Sequence, residues 1–333
     1  MVAASYHFLK QGTDIMKLKA LLFATGAAIS LAASPAAAVV FVSGDVFAAV
    51  GGGLVRHYSS AGILKDTLNT TRGGFTTGMA FDTGGALYVS NFSDASIAKF
   101  TNAGALVAGQ YISGTGGNPE SIVFNAAGQM LVGGPGVQLK RYSSTGAFLQ
   151  NYGATRVDFI DLAADQKTVF VTEETSIIKR FDISTNTAMS NFVNMTAQGG
   201  TTGFALRILT NGDVLIAAGP RVLQYNAAGA FLGGYDVTGV DGFFALNLDS
   251  NNGTFWSGSL NNQNLYRFTL GNFGANVSTQ TIAAGGQLFG VAVFGEQTAA
   301  VPLVPEPGTW AMMIAGFGIV GASLRRRAKL AVV

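Results

Sequence analysis

The chain has 333 residues, no cysteine, and 20 Lys and Arg against 18 Asp and Glu. The missing cysteines exclude disulfide frameworks, thiolate nucleophiles and Cys-based zinc clusters. Seven of the basic and two of the acidic residues fall in the terminal segments, which leaves residues 39–304 with 13 against 16, a net charge of −3, and no basic stripe for nucleic acid.

The first predicted element is an export signal. Met16-Lys17-Leu18-Lys19 is followed by an apolar stretch from Ala20 to Ala33 and then Ser34-Pro35-Ala36-Ala37-Ala38. A charged n-region, an apolar h-region and a small-residue cleavage site make a signal peptide for the Sec machinery. Residues 1–38 are expected to be removed after Ala38, with Met16 as an alternative start.

The body that follows repeats. One unit runs from Gly78-Met79-Ala80-Phe81 to Phe100, the next from Ser121-Ile122-Val123-Phe124 to Tyr142, and further copies contain Leu206-Arg207-Ile208 and Val222-Leu223-Gln224-Tyr225. An aromatic closes the third strand of each unit: Tyr58, Phe100, Tyr142, Phe181, Tyr225 and Phe268, at separations of 42, 42, 39, 44 and 43 residues. Short alternating apolar runs separated by Gly/Asn/Asp turns, with no helical period, read as four strands per unit of about forty residues. One such unit cannot bury both faces of its sheet, whereas a closed ring of units does so and protects the edges.

The expected fold is therefore all-β, a six-bladed β-propeller over residues 39–296. Five blades begin near Gly78, Ser121, Phe159, Leu206 and Ala245. The sixth is split: Gly290–Phe294 supplies its inner strand, and Val39–Val42, the stretch around Phe47–Tyr58, and Ile63–Asn69 supply the rest. The turn and aromatic spacing resembles the six-bladed propellers of the NHL and gluconolactonase-like superfamily.

Aligned by their turns, the blades place Thr77, Glu120, Asp158, Ala205, Phe244 and Gly290 at one equivalent inner position. Asp161, Arg207 and Asn247 follow on the same strands. Glu120, Asp158, Asp161 and Asn247 offer oxygen ligands for a hard cation such as Ca²⁺ at the channel mouth. The gluconolactonase resemblance implies that a metal there would polarise a lactone. A structural reading has Arg207 neutralise the Glu120–Asp158 pair instead. His57 stands where other units carry Lys or Arg and is read as their replacement, not as a base. Gly51-Gly52-Gly53, Gly133-Gly134 and Gly199-Gly200 are read as turns and not as nucleotide loops.

Residues 297–304 form a linker to the last element. Pro305-Glu306-Pro307-Gly308-Thr309-Trp310 precedes an apolar run from Ala311 to Leu324, and Arg325-Arg326-Arg327 closes it. Fourteen apolar residues make about 21 Å of helix at roughly 1.5 Å per residue, a marginal span that a basic triplet holds with the arginines on the cytoplasmic side. Residues 305–333 resemble the PEP-CTERM sorting signal in its Trp-Ala variant. That resemblance implies transient insertion in the inner membrane of a Gram-negative bacterium, processing by exosortase, and delivery to the cell surface or medium. The family is associated with exopolysaccharide and biofilm.

Two functions are carried forward. The first is a non-enzymatic surface or matrix module that binds exopolysaccharide or a protein partner. The second is a secreted, metal-dependent, lactonase-like hydrolase.

Overall fold

The apolar runs of the repeat become strands of two to seven residues, too short for independent helices and matched to the width of a sheet. The computed structural model describes residues 39–153 and 156–297, among which no α-helix occurs. These residues form a six-bladed β-propeller whose blades are antiparallel sheets.

From channel to rim, blade I holds Thr76–Phe81, Leu87–Asn91, Ser96–Phe100 and Leu106–Ile112. Blade II holds Ser121–Phe124, Met130–Gly134, Val137–Tyr142 and Phe148–Asn151. Blade III holds Ile160–Leu162, Thr168–Val171 and Ile177–Asp182, with its outer strand interrupted into Thr187–Ala188 and Val193–Asn194. Blade IV holds Leu206–Ile208, Val214–Ala217, Val222–Tyr225 and Phe231–Tyr235. Blade V holds Phe243–Leu248, Thr254–Ser259, Asn264–Thr269 and Ser278–Ala283.

Blade VI is split between the chain ends. Its inner strand is Leu288–Val293, and Val46–Val50, Leu54–Tyr58 and Leu64–Asn69 follow outward. Val46 pairs with Val293 and Ala49 with Gly290, so the last strand closes the ring on the first. All six marker aromatics are buried between blades. The turns explain the repeated Gly: Asn226 accepts the amides of Ala228 and Ala230, and Gly229 closes the turn at φ +85°.

Val39–Val42, expected as a strand of blade VI, is not one. Val42 N–H donates to Asp45 Oδ2 at 2.9 Å and Gly44 turns at φ +88°, so the chain reverses before it can pair. The strand begins at Val46 instead. Phe41 packs edge-on against Phe47 at 4.7 Å and Phe294 at 6.0 Å, which covers the closure. His57 takes the strand position before the marker aromatic where most other blades carry Lys or Arg, and here it turns into the core. It is fully buried, stacked on Phe47 at 4.4 Å, with Nε2 2.8 Å from Asp45 Oδ2. Burial pulls its pKa down while Asp45 opposes, as befits a packed core group.

The inner strands are stitched to one another around the ring. Thr77 Oγ1 donates to Pro119 O at 3.0 Å, and Ser121 Oγ to Asp158 O at 2.8 Å. Ile208 N–H donates to Asp161 Oδ2 at 2.7 Å, Ala205 N–H to Phe244 O at 3.1 Å, and Val293 N–H to Asn247 Oδ1 at 3.2 Å. Thr76 Oγ1 completes the circuit through Val50 O, on the second strand of blade VI, at 2.8 Å. The fit is close: a Cβ on Gly290 would stand 2.1 Å from the Thr77 carbonyl oxygen.

Candidate functional site

All six inner strands run the same way along the central channel, so their starts gather at one mouth and their ends at the other. The segment before each inner strand sets the chemistry of the first mouth. Glu120 immediately precedes the inner strand of blade II, and Asp158 lies two residues before that of blade III. Both are buried. Arg156 donates through Nε to the two Asp158 oxygens at 3.1 and 2.9 Å and through Nη2 to Glu174. Glu120 is 5% exposed, and its Oε2 is buried without a hydrogen-bond partner.

These surroundings set the protonation states. Burial, then Asp158 and Glu174, push the Glu120 carboxyl up to about 8. Burial raises Asp158 to about 6 against the opposing pull of Arg156. The strand-start mouth thus holds a neutral acid beside a clamped carboxylate near neutral pH.

Phenylalanines complete this mouth. Phe75 and Phe289 meet at 4.5 Å, Phe204 and Phe244 at 4.8 Å, and Phe159 and Phe244 at 5.2 Å. All five stand at or just before the start of an inner strand, and Phe75 is 42% exposed. Below them the channel narrows to a cavity of about 20 Å³ lined by Gly78, Ser121, Phe159, Ala205, Ala245 and Gly290, room for roughly one water.

The strand-end mouth is different. A cavity of about 450 Å³ opens there between Phe81, Phe124 and Phe294, with Asp161, Arg207 and Glu296 among its walls. Arg207 Nε donates to Glu296 Oε1 at 2.8 Å and Nη1 to Leu206 O at 2.9 Å. Asp161 accepts the amides of Leu162 and Ile208 at 2.9 and 2.7 Å, and burial raises it to about 6 with Arg207 opposing. The oxygen of Asn247 is bonded to Val293, and its Nδ2 is buried without a partner.

Of the four residues expected around a cation, Glu120 and Asp158 come together. Asp161 lies three residues further along the strand that Asp158 leads, about 10 Å at roughly 3.3 Å per residue. Asp161 spends one oxygen on Leu162 of its own strand and the other on Ile208 of the next blade, and Asn247 spends its oxygen on Val293 of the next blade. Among the described residues, no group of three or more His, Cys, Asp or Glu side chains is placed to hold a metal ion. Arg207 does not neutralise the Glu120–Asp158 pair. Arg156 instead holds Asp158 and Glu174, leaving Glu120 without a charged partner in hydrogen-bond reach, while Arg207 lines the other mouth and takes Glu296.

Both described chain ends lie on the strand-end face. Phe41 N–H donates to Asn102 O in the outer turn of blade I, and Gln297 N–H to Asp249 O at the end of the blade V inner strand. Residues 1–38 and the sorting residues Pro305, Glu306, Pro307, Trp310, Arg325, Arg326 and Arg327 lie outside the described residues, as does the apolar run between them. Residues 303–327 match the family described as the PEP-CTERM protein-sorting motif. The chain carries a PEP-CTERM sorting signal. That signal directs exosortase processing and makes this an exported, envelope-sorted propeller.

Solved structures share the fold of the PEP-CTERM propeller. A chain of the nidogen/laminin complex is 13% identical, with a TM-score of 0.58, over 75% of this chain and 98% of that one. A protein of unknown function from Bacteroides caccae is 15% identical, with a TM-score of 0.58, over 75% and 98%. At these identities the likeness is one of fold alone. No curated protein matches the chain in sequence.

Proposed function

We propose that the PEP-CTERM propeller is a non-enzymatic binding module on the surface, or in the medium, of a Gram-negative bacterium, and that its strand-start mouth takes a saccharide of the extracellular matrix. One observation carries the reading. Both described chain ends lie on the strand-end face, so while the sorting tail holds the chain at the membrane the phenylalanine-lined mouth is turned away from it. Aromatic faces beside carboxyl groups suit a ring that is apolar on its faces and polar on its edge.

Co-sedimentation of the exported protein with insoluble matrix polysaccharide tests this. Phe75 is 42% exposed at the rim, and Phe289 beside it is partly buried against the neighbouring core. Phe75→Ala should cut the bound fraction at least fivefold at unchanged melting temperature, and Phe289→Ala should do so with a lower one, since Phe289 packs on the core. Absence of binding by the parent protein, or binding indifferent to both substitutions, refutes the reading.

A further inference from the structure

The outer strands carry apolar side chains that the core does not use. In four blades the residue paired with the marker aromatic is apolar and exposed: Leu64 opposite Tyr58, Leu106 opposite Phe100, Phe148 opposite Tyr142 and Phe231 opposite Tyr225. An exposed Ile, Val or Leu stands next to each, and Met189 in blade III and Phe273 in blade V are exposed on the corresponding stretch. Outer strands run antiparallel to third strands, so these starts lie on the strand-end face. Among the described residues, large apolar side chains more than a third exposed fall on this half of the propeller, with Phe75 the exception.

Charge is distributed the other way. The six connections between third and outer strands, residues 59–63, 101–105, 143–147, 183–186, 226–230 and 270–277, hold no charged residue. Nearer the axis, the turn between the first and second strands of blade III adds Asp165 and Lys167, an exposed pair of opposite sign. The loops of the strand-start face hold Arg72, Asp94, Arg156, Glu173, Glu174 and Arg221.

An apolar row on an exposed sheet edge is a liability in water unless something covers it. Four blades present theirs at one register, so the residues share one level around the ring, and a surface that meets them all is flat and wide, as a lipid bilayer is. The chain also leaves from this face: Gln297 N–H is bonded to Asp249 O, and the apolar run of the sorting signal begins at Ala311. The thirteen residues between, 298–310, span at most about 45 Å when fully extended. Turns without charge cost little to bring against headgroups, and interfacial binding grows with the apolar area buried.

We propose that the strand-end rim is a membrane-contact surface: while the sorting signal is attached, the propeller rests on the bilayer with Leu64, Leu106, Phe148 and Phe231 at the lipid interface. The contact uses none of the residues assigned to the saccharide.

Tryptophan reporters in the full chain, reconstituted in phosphatidylcholine vesicles, test it. Trp256 is buried and Trp310 lies in the tail, so each reporter is placed in a Trp310→Phe chain and read as the gain over it. Brominated phosphatidylcholine should quench at least half of the added emission of Phe148→Trp and of Phe231→Trp. It should quench less than a tenth of that of Arg221→Trp, which stands exposed on the strand-start side of blade IV. Iodide in the water should show the reverse order. Rim reporters open to iodide overturn the contact. Rim reporters shielded from iodide yet untouched by brominated lipid mark a second copy of the chain as the occupant and overturn the bilayer. Equal lipid quenching of Arg221→Trp and the rim reporters overturns the orientation. A Leu106→Trp reporter should lose at least threefold of its lipid quenching when Phe148→Glu and Phe231→Glu are introduced together, with Trp256 emission unchanged as the sign of an intact fold. Quenching that survives both shows that the tail alone holds the face down and overturns the role of the ring.

Discussion

Replacing Glu120 by Gln removes one ionisable group from the strand-start mouth at nearly constant volume. The folded chain holds this carboxyl at about 8, against an ordinary value of 4.5. Because the folded pKa is the higher one, the folded state retains a proton that the unfolded chain releases between those limits. Glu120 therefore costs nothing below about pH 4.5, costs more as pH rises, and reaches its full cost above 8. At about 1.4 kcal/mol per pH unit, the gap between 4.5 and 8 bounds that cost at about 5 kcal/mol. Asp158 and Asp161 add their own losses, but both are held at about 6 and are nearly spent by pH 7. Between pH 7 and pH 8.5 the parent protein should thus lose about 1 kcal/mol more than Glu120→Gln. Urea unfolding followed by the fluorescence of Trp256, which is buried in blade V, measures this. At pH 4 the variant should be no more stable than the parent, since its amide inherits a site without partners. Parallel stability curves for the two proteins from pH 5 to pH 8.5 would refute a buried neutral carboxyl.

Three further outcomes are expected. Intact mass of the exported protein should begin at Val39 and lack the residues beyond Pro307; a mass that retains Arg325–Arg327 contradicts tail removal. Truncation after Gln287 removes the closing strand Leu288–Val293 and opens the edge of Val46–Val50, which should cost several kcal/mol and give aggregates by light scattering; a monomer as stable as the parent rules out closure by this strand. Neither Ca²⁺ nor EDTA should move the melting temperature, because Asp161 and Asn247 already hold backbone amides; a Ca²⁺-dependent rise that Glu120→Gln and Asp158→Asn abolish would establish a metal site.

The blade plan was legible because it rests on local signals. A turn that needs Gly at positive φ and an aromatic that must fill the gap between sheets recur whatever the rest of the blade does. The first strand was misplaced because Val39–Val42 is an unbroken run of β-branched and aromatic residues, the composition of a buried strand, and only the Asp45 side chain and Gly44 show that it turns away. Glu120 and Asp158 could be aligned because they sit at the same step of the repeat. Their partner could not, since Arg156 comes from a loop outside the repeat, and Glu296 reaches Arg207 from 89 residues away. The phenylalanine rim was hidden among 24 Phe residues: Phe75 and Phe289 carry no mark that separates them from the core aromatics until the ring is closed.

The six joints of the ring have a consequence for how such a chain can change. The blades look interchangeable by period, but each meets the next through a different chemical handshake: a threonine on a proline carbonyl, a serine on an aspartate carbonyl, a carboxylate on an amide, one main chain on another, an asparagine on an amide, and a threonine on the far side of the closure. A blade moved elsewhere in the order would meet a neighbour whose joint was built for a different partner. The gene can therefore be cut and rejoined at a surface loop, since that keeps every neighbour, but its blades cannot be duplicated or shuffled without rewriting both flanking joints. The period is common to every blade, and the joints are what distinguish one place in the ring from another.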